Sequence, residues 1–188
     1  MTEEKRHGGS LEVKLLESVE IDVAGRTIKV KGEKGELSRK FSEDFIRLEK
    51  EDGKIKITAR SKRFPFRKQM AIMGSIAGHI KNMMHGVSEG FSYKLKVVYS
   101  HFPMKIEVKD GVVLIDNFLG EKYPRKSLIL EGCQVKVKGQ DVEVTGINKE
   151  NVGQTAANLE LATKVKNLDV RIFQDGIYIT EKAGKPVI

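Results

Sequence analysis

Residues 45–85 read FIRLEKEDGKIKITARSKRFPFRKQMAIMGSIAGHIKNMMH, and within this stretch the spacing of the apolar residues changes. Apolar and polar residues alternate in residues 46–48 and 55–58, on either side of Glu51-Asp52-Gly53. This pattern predicts an antiparallel hairpin with one buried face, because Asp-Gly favours a tight turn. From Phe66 to His85 the apolar residues recur at three and four positions, as on an amphipathic helix. The stretch therefore predicts a sheet with one helix packed on it.

Several residues of the predicted helix have expected structural roles. Pro65 stands at its start, where a missing N–H costs little, and Gly86 is expected to cap its end. Gly74 and Gly78, one turn apart, are expected to let the helix lie close to the sheet. Four of the six methionines in the chain fall in this helix and are interpreted as core residues: Met70, Met73, Met83 and Met84.

Before this stretch, the sequence predicts another hairpin. Apolar residues alternate in residues 19–23 and again in residues 28–30, with Ala24-Gly25-Arg26 as the turn between them. Gly32 and Gly35 bracket the turn that follows. After the helix, Phe91 to Tyr99 is predicted to be a strand that returns to the first sheet.

From Met104 the same order of elements begins again. Hairpins are predicted over residues 106–115, turning at Asp110-Gly111, and over residues 133–144, turning at Gly139-Gln140. A helix is predicted from about Asn151 to Val165, with Asn148 or Asn151 as its N-cap. Asp175-Gly176 then separates two short strands, which are predicted at residues 170–173 and 177–179.

The two halves are offset by about 85 residues, since Gly35-Glu36 corresponds to Gly120-Glu121 and Lys68 falls against Gly153. The predicted fold class is therefore α+β, with two tandem similar domains, each an antiparallel β-sheet with one packed helix. The expected boundaries are a flexible tail at 1–10, an N-terminal repeat at 11–99 and a C-terminal, RNA-binding repeat at 104–182. Tyr99–Pro103 is the expected link.

The net charge of +8 is concentrated in the first part of the chain. The first 100 residues carry 21 lysines and arginines against 14 acidic residues, and the rest carry 13 against 12. The densest basic stretch has five cations and no acid, namely Arg60, Lys62, Arg63, Arg67 and Lys68, and a smaller one is Lys122-Tyr123-Pro124-Arg125-Lys126. Such clusters suit contact with a phosphate backbone, and the solvated face of a charge-rich protein is an equally weighted alternative.

The sequence offers no pattern typical of a membrane span, a secretory signal, a metal site or a nucleotide-hydrolysing loop. No apolar run reaches the ~18–20 residues of a membrane span, so a cytoplasmic protein is expected. The single cysteine, Cys133, is interpreted as a small, partly buried residue rather than a reactive thiol. His79 and His85 lie six residues apart on the predicted helix and point in different directions, and His101 has no acidic partner close in sequence. No cofactor, metal or catalytic residue is predicted.

Five segments form a more specific pattern: GVSEGFSYK at 86–94, YSHFP at 99–103, NFLGEKY at 117–123, VKN at 165–167 and RIFQDGIYITEK at 171–182. Together they resemble the family of ribosomal protein six of the large subunit, in its archaeal and eukaryotic form. The Tyr-Lys-Gly-Lys-Gly ending typical of bacterial members is missing. Leu161 and Leu168 stand where the archaeal and eukaryotic branch often has glutamine and lysine, so no contact is carried over to them.

The resemblance implies a structural constituent of the large ribosomal subunit with no enzymatic activity. Members bind large-subunit rRNA near the sarcin–ricin loop and the base of the factor-binding stalk, where translational GTPases dock, mainly through the C-terminal domain. Other large-subunit proteins are implied as neighbours. The resemblance also implies that Asn117, Phe118 and Gly120 shape a loop at the interface. The residues implied to face rRNA are Lys122, Tyr123, Arg125, Lys126, Lys166, Arg171 and Lys182, and the basic residues between 60 and 68 are a second candidate contact.

Two other functions are alternatives to this one. A duplicated DNA-binding saddle that resembles the TATA-box binding protein also has two α+β halves, and it kinks DNA with paired phenylalanines. The eight phenylalanines of this chain do not recur as matched pairs in the two halves. The second alternative, an enzyme with a dispersed catalytic site, has no motif in its favour.

Overall fold

The computed structural model describes residues 4–7, 10–16, 18–51, 53–61 and 63–187, with the backbone alone at 4–7. The chain divides into two compact units. Unit 1 extends to Gly90, and unit 2 begins at Phe91. Among the described residues, no helix is both long and apolar enough to cross a membrane.

Unit 1 contains two antiparallel sheets and one helix. Its larger sheet has the strand order β1-β2-β7-β6, its smaller sheet has the order β3-β4-β5, and α1 packs against both. The elements are β1 (Glu4–His7), β2 (Ser10–Lys14), β3 (Glu20–Ala24), β4 (Thr27–Gly32), β5 (Gly35–Lys40), β6 (Ile46–Glu51), β7 (Lys54–Ala59) and α1 (Phe66–Ser88).

The core of unit 1 follows from the two apolar periods of its sequence. Strand residues such as Val13, Ile28 and Ile57 are fully buried, and so are Met73 and Ile80 of α1. Burying one such side chain stabilises the folded state by about 1.5–3 kcal/mol. The predicted hairpins β3–β4 and β6–β7 are confirmed in register, and the methionines of α1 lie in or against the core, as expected.

Unit 2 repeats this arrangement. Its larger sheet has the order β12-β13-β8-β14-β15, its smaller sheet has the order β11-β10-β9, and α2 packs against both. The elements are β8 (Phe91–Val98), β9 (Lys105–Lys109), β10 (Val112–Asp116), a short 3-10 helix (Phe118–Gly120), β11 (Arg125–Leu128), β12 (Cys133–Lys138), β13 (Asp141–Gly146), α2 (Lys149–Ala162), β14 (Gly176–Lys182) and β15 (Lys185–Pro186). The hairpins β9–β10 and β12–β13 are confirmed.

The larger sheets of the two units correspond strand by strand, as β1-β2-β7-β6 and β14-β8-β13-β12. The position beside β2 is filled by the strand that precedes it, whereas the position beside β8 is filled by a strand that follows α2. Two tandem similar α+β domains are thus present, as predicted. Each of them has a second, three-stranded sheet in addition.

The expected boundaries were wrong in two places. Residues 91–98 were assigned to the first repeat, but β8 pairs with β13 and β14 and is the central strand of the second sheet. Tyr99–Pro103 therefore lies inside unit 2 and does not link the two repeats. Within the expected flexible tail, residues 4–7 pair with β2 as strand β1, and residues 1–3, 8 and 9 lie outside the described residues.

Three local predictions were also wrong. Gly86 is buried inside α1, and the chain leaves the helix at Gly90 instead, where φ is +76° and the N–H donates to the His85 carbonyl. Gly74 and Gly78 make no close approach to the sheet, because a Cβ at either position would meet nothing within 4 Å. Residues 170–173 form a turn rather than a strand.

The two helices begin differently. The side chain of Asn148 accepts a hydrogen bond from the Glu150 N–H and caps α2, as one of the two predicted candidates. Helix α1 follows Pro65, has no side-chain cap and carries no acidic residue in its first turn. Its start therefore lacks the negative charge that usually stabilises a helix N-terminus.

We predict that Gly74→Ala stabilises the protein by about 0.5–1 kcal/mol, because alanine lowers the entropy of the unfolded chain and its methyl group meets open space. The free energy of unfolding in urea measures the effect. Gly32→Ala is the contrasting variant and should be destabilising, since its Cβ would lie 2.8 Å from the Val87 carbonyl oxygen. A loss of stability in Gly74→Ala would mean that a neighbouring segment lies within 4 Å of the added methyl group, which would contradict this geometry.

Candidate nucleic-acid interface

Two loops of unit 2 meet where α2 ends. The 117–126 loop follows β10 and runs into β11, and the 163–175 loop connects α2 with β14. The guanidinium Nη1 of Arg125 donates to the carbonyl of Ala162 at 2.9 Å and to that of Lys164 at 3.0 Å. These hydrogen bonds satisfy carbonyl groups at the C-terminal end of α2 and hold the two loops together.

Arg125 is a structural residue rather than a free cation. Its Nε and Nη2 donate to the two carboxylate oxygens of Glu121 at 2.8 and 2.6 Å, and its guanidinium lies 4.2 Å from the centre of the buried Phe118 ring. The hydrogen bonds from Arg125 lower the pKa of Glu121 against the opposing effect of burial, and the charge of Lys166 contributes further. Arg125 was expected to face RNA, but its side chain is only 19% exposed. It therefore positions the loop.

The backbone of the 117–126 loop is held in an unusual conformation. Asn117, Leu119 and Gly120 have φ values of +58°, +50° and +77°. This left-handed region costs a non-glycine residue on the order of 1–3 kcal/mol, so neighbouring contacts must stabilise it. Phe118 is fully buried, and the Asn117 amide donates to the Pro103 carbonyl at 3.0 Å. Asn117, Phe118 and Gly120 thus give the loop its shape.

Most of the residues expected to face RNA are exposed on these two loops. Tyr123 is 76% exposed, and the Lys122 ammonium lies 6.0 Å from the centre of its ring. The other exposed cations are Lys126, Lys166 and Arg171, to which the structure adds Lys164. Lys182 is exposed but lies at the far end of β14, about 20 Å along the strand from Gly176, so it does not belong to this group.

The 163–175 loop is fixed by its own hydrogen bonds. The Asp169 carboxylate accepts from the Arg171 N–H at 2.9 Å, and the Asp169 carbonyl accepts from the N–H groups of Ile172 and Phe173. This turn leaves the side chains of Val170 and Ile172 64% and 63% exposed. Cations and aliphatic side chains therefore share the surface of the loop.

A buried carboxylate fixes the base of the 163–175 loop. Asp175 is 1% exposed and accepts four hydrogen bonds, from the N–H and hydroxyl of Ser100 at 3.0 Å each, from the His101 N–H at 3.2 Å and from the His101 ring at 3.1 Å. Burial opposes its ionisation, but the hydrogen bonds outweigh burial and lower the pKa of Asp175 to about 2. The His101 ring also packs on Phe173, with the ring centres 4.7 Å apart.

The same segment reaches the other loop, because the Phe102 ring packs on Gly120. A Cβ at Gly120 would lie 3.4 Å from that ring. Residues 100–103 therefore contact both loops, and this part of unit 2 was missed in the sequence. Asp175 and His101 are 74 residues apart, so no local spacing indicates the pair.

Ser100, His101 and Asp175 are the residue types of a hydrolytic triad, but their arrangement differs from one. In such a triad the imidazole lies between the hydroxyl and the carboxylate and contacts them through different ring nitrogens. Here both the Ser100 hydroxyl and the Asp175 carboxylate meet His101 Nδ1, each at 3.1 Å. The histidine therefore cannot accept the serine proton on one ring nitrogen while the aspartate orients the ring through the other, as a triad requires. Among the described residues, no three His, Cys, Asp or Glu side chains are grouped to hold a metal ion.

Two remaining sequence predictions concern other parts of the chain. Cys133 is half-buried, and burial raises the pKa of its thiol, which agrees with its interpretation as an unreactive residue. The second basic cluster lies in unit 1, where Arg60, Arg63, Arg67 and Lys68 are exposed near the start of α1. Lys62 lies outside the described residues.

Two comparisons with known proteins point to the same family. The family model described as "Ribosomal protein L6" matches residues 15–90 and 102–176, one match in each half of the chain. The large ribosomal subunit protein uL6 of Methanococcus vannielii, an archaeon, is 51% identical to this chain over 174 residues, which cover 93% of this chain and 94% of that protein.

We predict that Asp175→Asn lowers the free energy of unfolding by about 2 kcal/mol at pH 7. The pKa of Asp175 lies below its ordinary value, so its contribution to stability is complete above about pH 4 and is lost as the pH falls towards 2. Urea unfolding of the wild type and the variant between pH 7 and pH 2.5 tests this, with Asp141→Asn, an exposed carboxylate, as the control. A difference between wild type and variant that stays constant with pH would contradict the assignment.

Proposed function

The chain belongs to the ribosomal protein L6 family, and from this premise we propose that it is a structural constituent of the large ribosomal subunit that binds large-subunit rRNA through unit 2. One observation carries the assignment of the site. The exposed cations and Tyr123 lie on two loops whose backbones are held together by Arg125 and, through residues 100–103, by Asp175. The contact residues in this proposal are Lys122, Tyr123, Lys126, Lys164, Lys166 and Arg171.

The mechanism is phosphate neutralisation by a preformed surface. Each lysine or arginine that meets a phosphate releases condensed counterions, which makes the affinity strongly dependent on salt. Because the loops are already ordered, little conformational entropy is lost on binding. Tyr123 offers a ring on which an unpaired base can stack, and the exposed aliphatic side chains suit the sugar edge of a shallow minor groove.

The finer location comes from the family resemblance. We place the binding site near the sarcin–ricin loop and the base of the factor-binding stalk, where translational GTPases dock. There the protein would brace the RNA and support translation without catalysing a reaction. Other large-subunit proteins are its further partners, and its cellular location would be the ribosome in the cytoplasm. Lys182, distant from the two loops, would meet a different stretch of RNA or a neighbouring protein.

The DNA-binding saddle has no remaining support, because both halves of the chain match the ribosomal family. In that alternative, duplex DNA would be preferred over structured rRNA. Preference for duplex DNA in a competition experiment would overturn the proposed function.

We predict that Lys122→Gln combined with Lys166→Gln weakens binding to a large-subunit rRNA fragment and flattens the dependence of log Kd on log salt by roughly 1.5, since two phosphate contacts are lost. Lys138→Gln, which removes an exposed charge on β12, should leave the slope nearly unchanged. Filter binding between 50 and 300 mM salt measures both. An unchanged slope in the double variant would remove these residues from the interface.

Arg125→Lys should behave differently. It keeps the positive charge but loses the paired hydrogen bonds to Glu121 and those to the carbonyls of Ala162 and Lys164. We expect the affinity to fall about tenfold with the salt slope retained, because a positioning contact is lost rather than a phosphate contact. A flattened slope would instead identify Arg125 as a direct phosphate ligand.

A further inference from the structure

Hydrogen bonds fix the described residues on both sides of position 62 in the basic segment of unit 1. Gln69, only 9% exposed, donates through its side-chain nitrogen to the carbonyls of Ser61 and Phe64 at 2.8 and 2.7 Å, and its side-chain oxygen accepts from the Ser61 N–H at 3.3 Å. The Arg60 N–H donates to the Phe45 carbonyl at 3.0 Å. One buried side chain of α1 therefore fixes the chain that leads into the helix.

An aromatic ring gathers two of the cations. The Phe64 ring packs on Phe45, with ring centres 5.2 Å apart. The Lys68 ammonium lies 4.5 Å from the centre of the Phe64 ring, and the Arg63 guanidinium lies 5.8 Å from it. Attraction to the ring offsets part of the repulsion between the two positive charges and keeps both near the start of α1.

The cluster keeps its charge unneutralised. Arg60, Arg63, Arg67 and Lys68 are exposed, and none of them forms an ion pair with any residue the structure describes. Arg67 and Lys68 occupy the first turn of α1, where positive charge is unfavourable and no acidic residue compensates. The sequence thus retains a local electrostatic cost that an anionic ligand would relieve.

The composition of the cluster favours a nucleic-acid backbone over an acidic peptide. Three of its four described cations are arginines, whose planar guanidinium groups bind a phosphate or a carboxylate through two hydrogen bonds at once, so the neighbouring aromatic ring decides between the two ligands. Phe66, 62% exposed in the same turn, adds a ring on which a base can stack. The adjacent depression carries charges of both signs, because Arg47, Lys56 and Arg60 line it together with Asp44 and Glu49.

We propose that unit 1 carries a second RNA site, separate from that of unit 2, in which Arg60, Arg63, Arg67 and Lys68 bind the phosphate backbone and Phe66 stacks on a base. This inference rests on the proposed function, since it takes large-subunit rRNA as the ligand. With one site on each compact unit, the chain is bivalent and joins two RNA segments. Its overall affinity then exceeds that of either site alone.

The first test is photo-crosslinking in subunits reconstituted with the full chain. The photoreactive amino acid benzoylphenylalanine replaces Phe66 in one protein and Tyr123 in another, and it replaces Val108, a 43% exposed residue of β9, in a control protein. We expect Phe66 and Tyr123 to capture different rRNA segments. Capture of RNA at Tyr123 but only of protein, or of nothing, at Phe66 overturns the second site. Failure at both positions refutes the proposed function itself.

The second test compares two triple variants of unit 1 on rRNA that contains both captured segments. Arg63→Gln, Arg67→Gln and Lys68→Gln together should weaken binding at least tenfold at low salt and flatten the salt slope by about 2. The matched control removes three exposed charges elsewhere in unit 1, by Lys29→Gln, Lys31→Gln and Lys40→Gln, and should change the slope by less than half as much. Equal losses of affinity in the two triple variants would mean that only the net charge of the protein affects binding, and would overturn the proposed site.

Discussion

The carboxylate of Asp175 is the contact on which the candidate interface of unit 2 depends. Burying a charge is costly unless its oxygens are well hydrogen-bonded, and the backbone and side chains of Ser100 and His101 provide four such bonds. The segment fixed in this way also contacts the 117–126 loop, through Phe102 on Gly120 and through the Asn117 amide on the Pro103 carbonyl. Arg125 adds a direct connection between the two loops. The cations are thus presented by a surface that is ordered before any ligand binds.

The two units use one scaffold in different ways. In unit 2 the exposed cations lie on loops beside the end of α2, and Arg125 binds the carbonyl of Ala162, the last residue of that helix. In unit 1 they lie at the start of α1, and Gln69 holds the preceding chain in place. The shared element order gives both units the same sheets and packed helix. The positions of the basic residues differ, however, because function is carried by the loops that are added to a fold rather than by the fold itself.

Much of the fold could be predicted because its signals are local. Alternation in strands such as β4 and β7, Asp-Gly turns and the helical spacing in α1 depend on neighbouring residues only. The pairing partners of β8 depend on residues about 50 and 80 positions away, so its sequence alone could not assign it to the correct unit. The helix end was misplaced because Gly86 packs inside α1, and only the positive φ of Gly90 marks the true exit.

The sequence was enough to locate the charged residues of the candidate site, but not to tell which of them contact solvent and which hold the loops in place. The family resemblance implied that Lys122, Tyr123, Lys126, Lys166 and Arg171 face rRNA, and these residues are exposed. Arg125, in the same set, instead binds Glu121 and the end of α2. The Glu121–Arg125 spacing of four residues was an available signal for that pairing. The contact between His101 and Asp175 has no such signal in the sequence, since it forms only when distant strands are assembled.

The position beside the central strand is filled by β1 in unit 1 and by β14 in unit 2, and this difference has a consequence for the newly made chain. All the strands that the structure describes in unit 1 precede α1, so this unit can complete its sheets as soon as the helix has been synthesised. In unit 2, β8 is made first and must wait for β14, which pairs with it from Gly176 opposite Val98 onward. Until then one edge of a central strand is open to pairing with another chain. The exposed charges of Lys94 and Lys96 on β8 discourage such pairing during this interval.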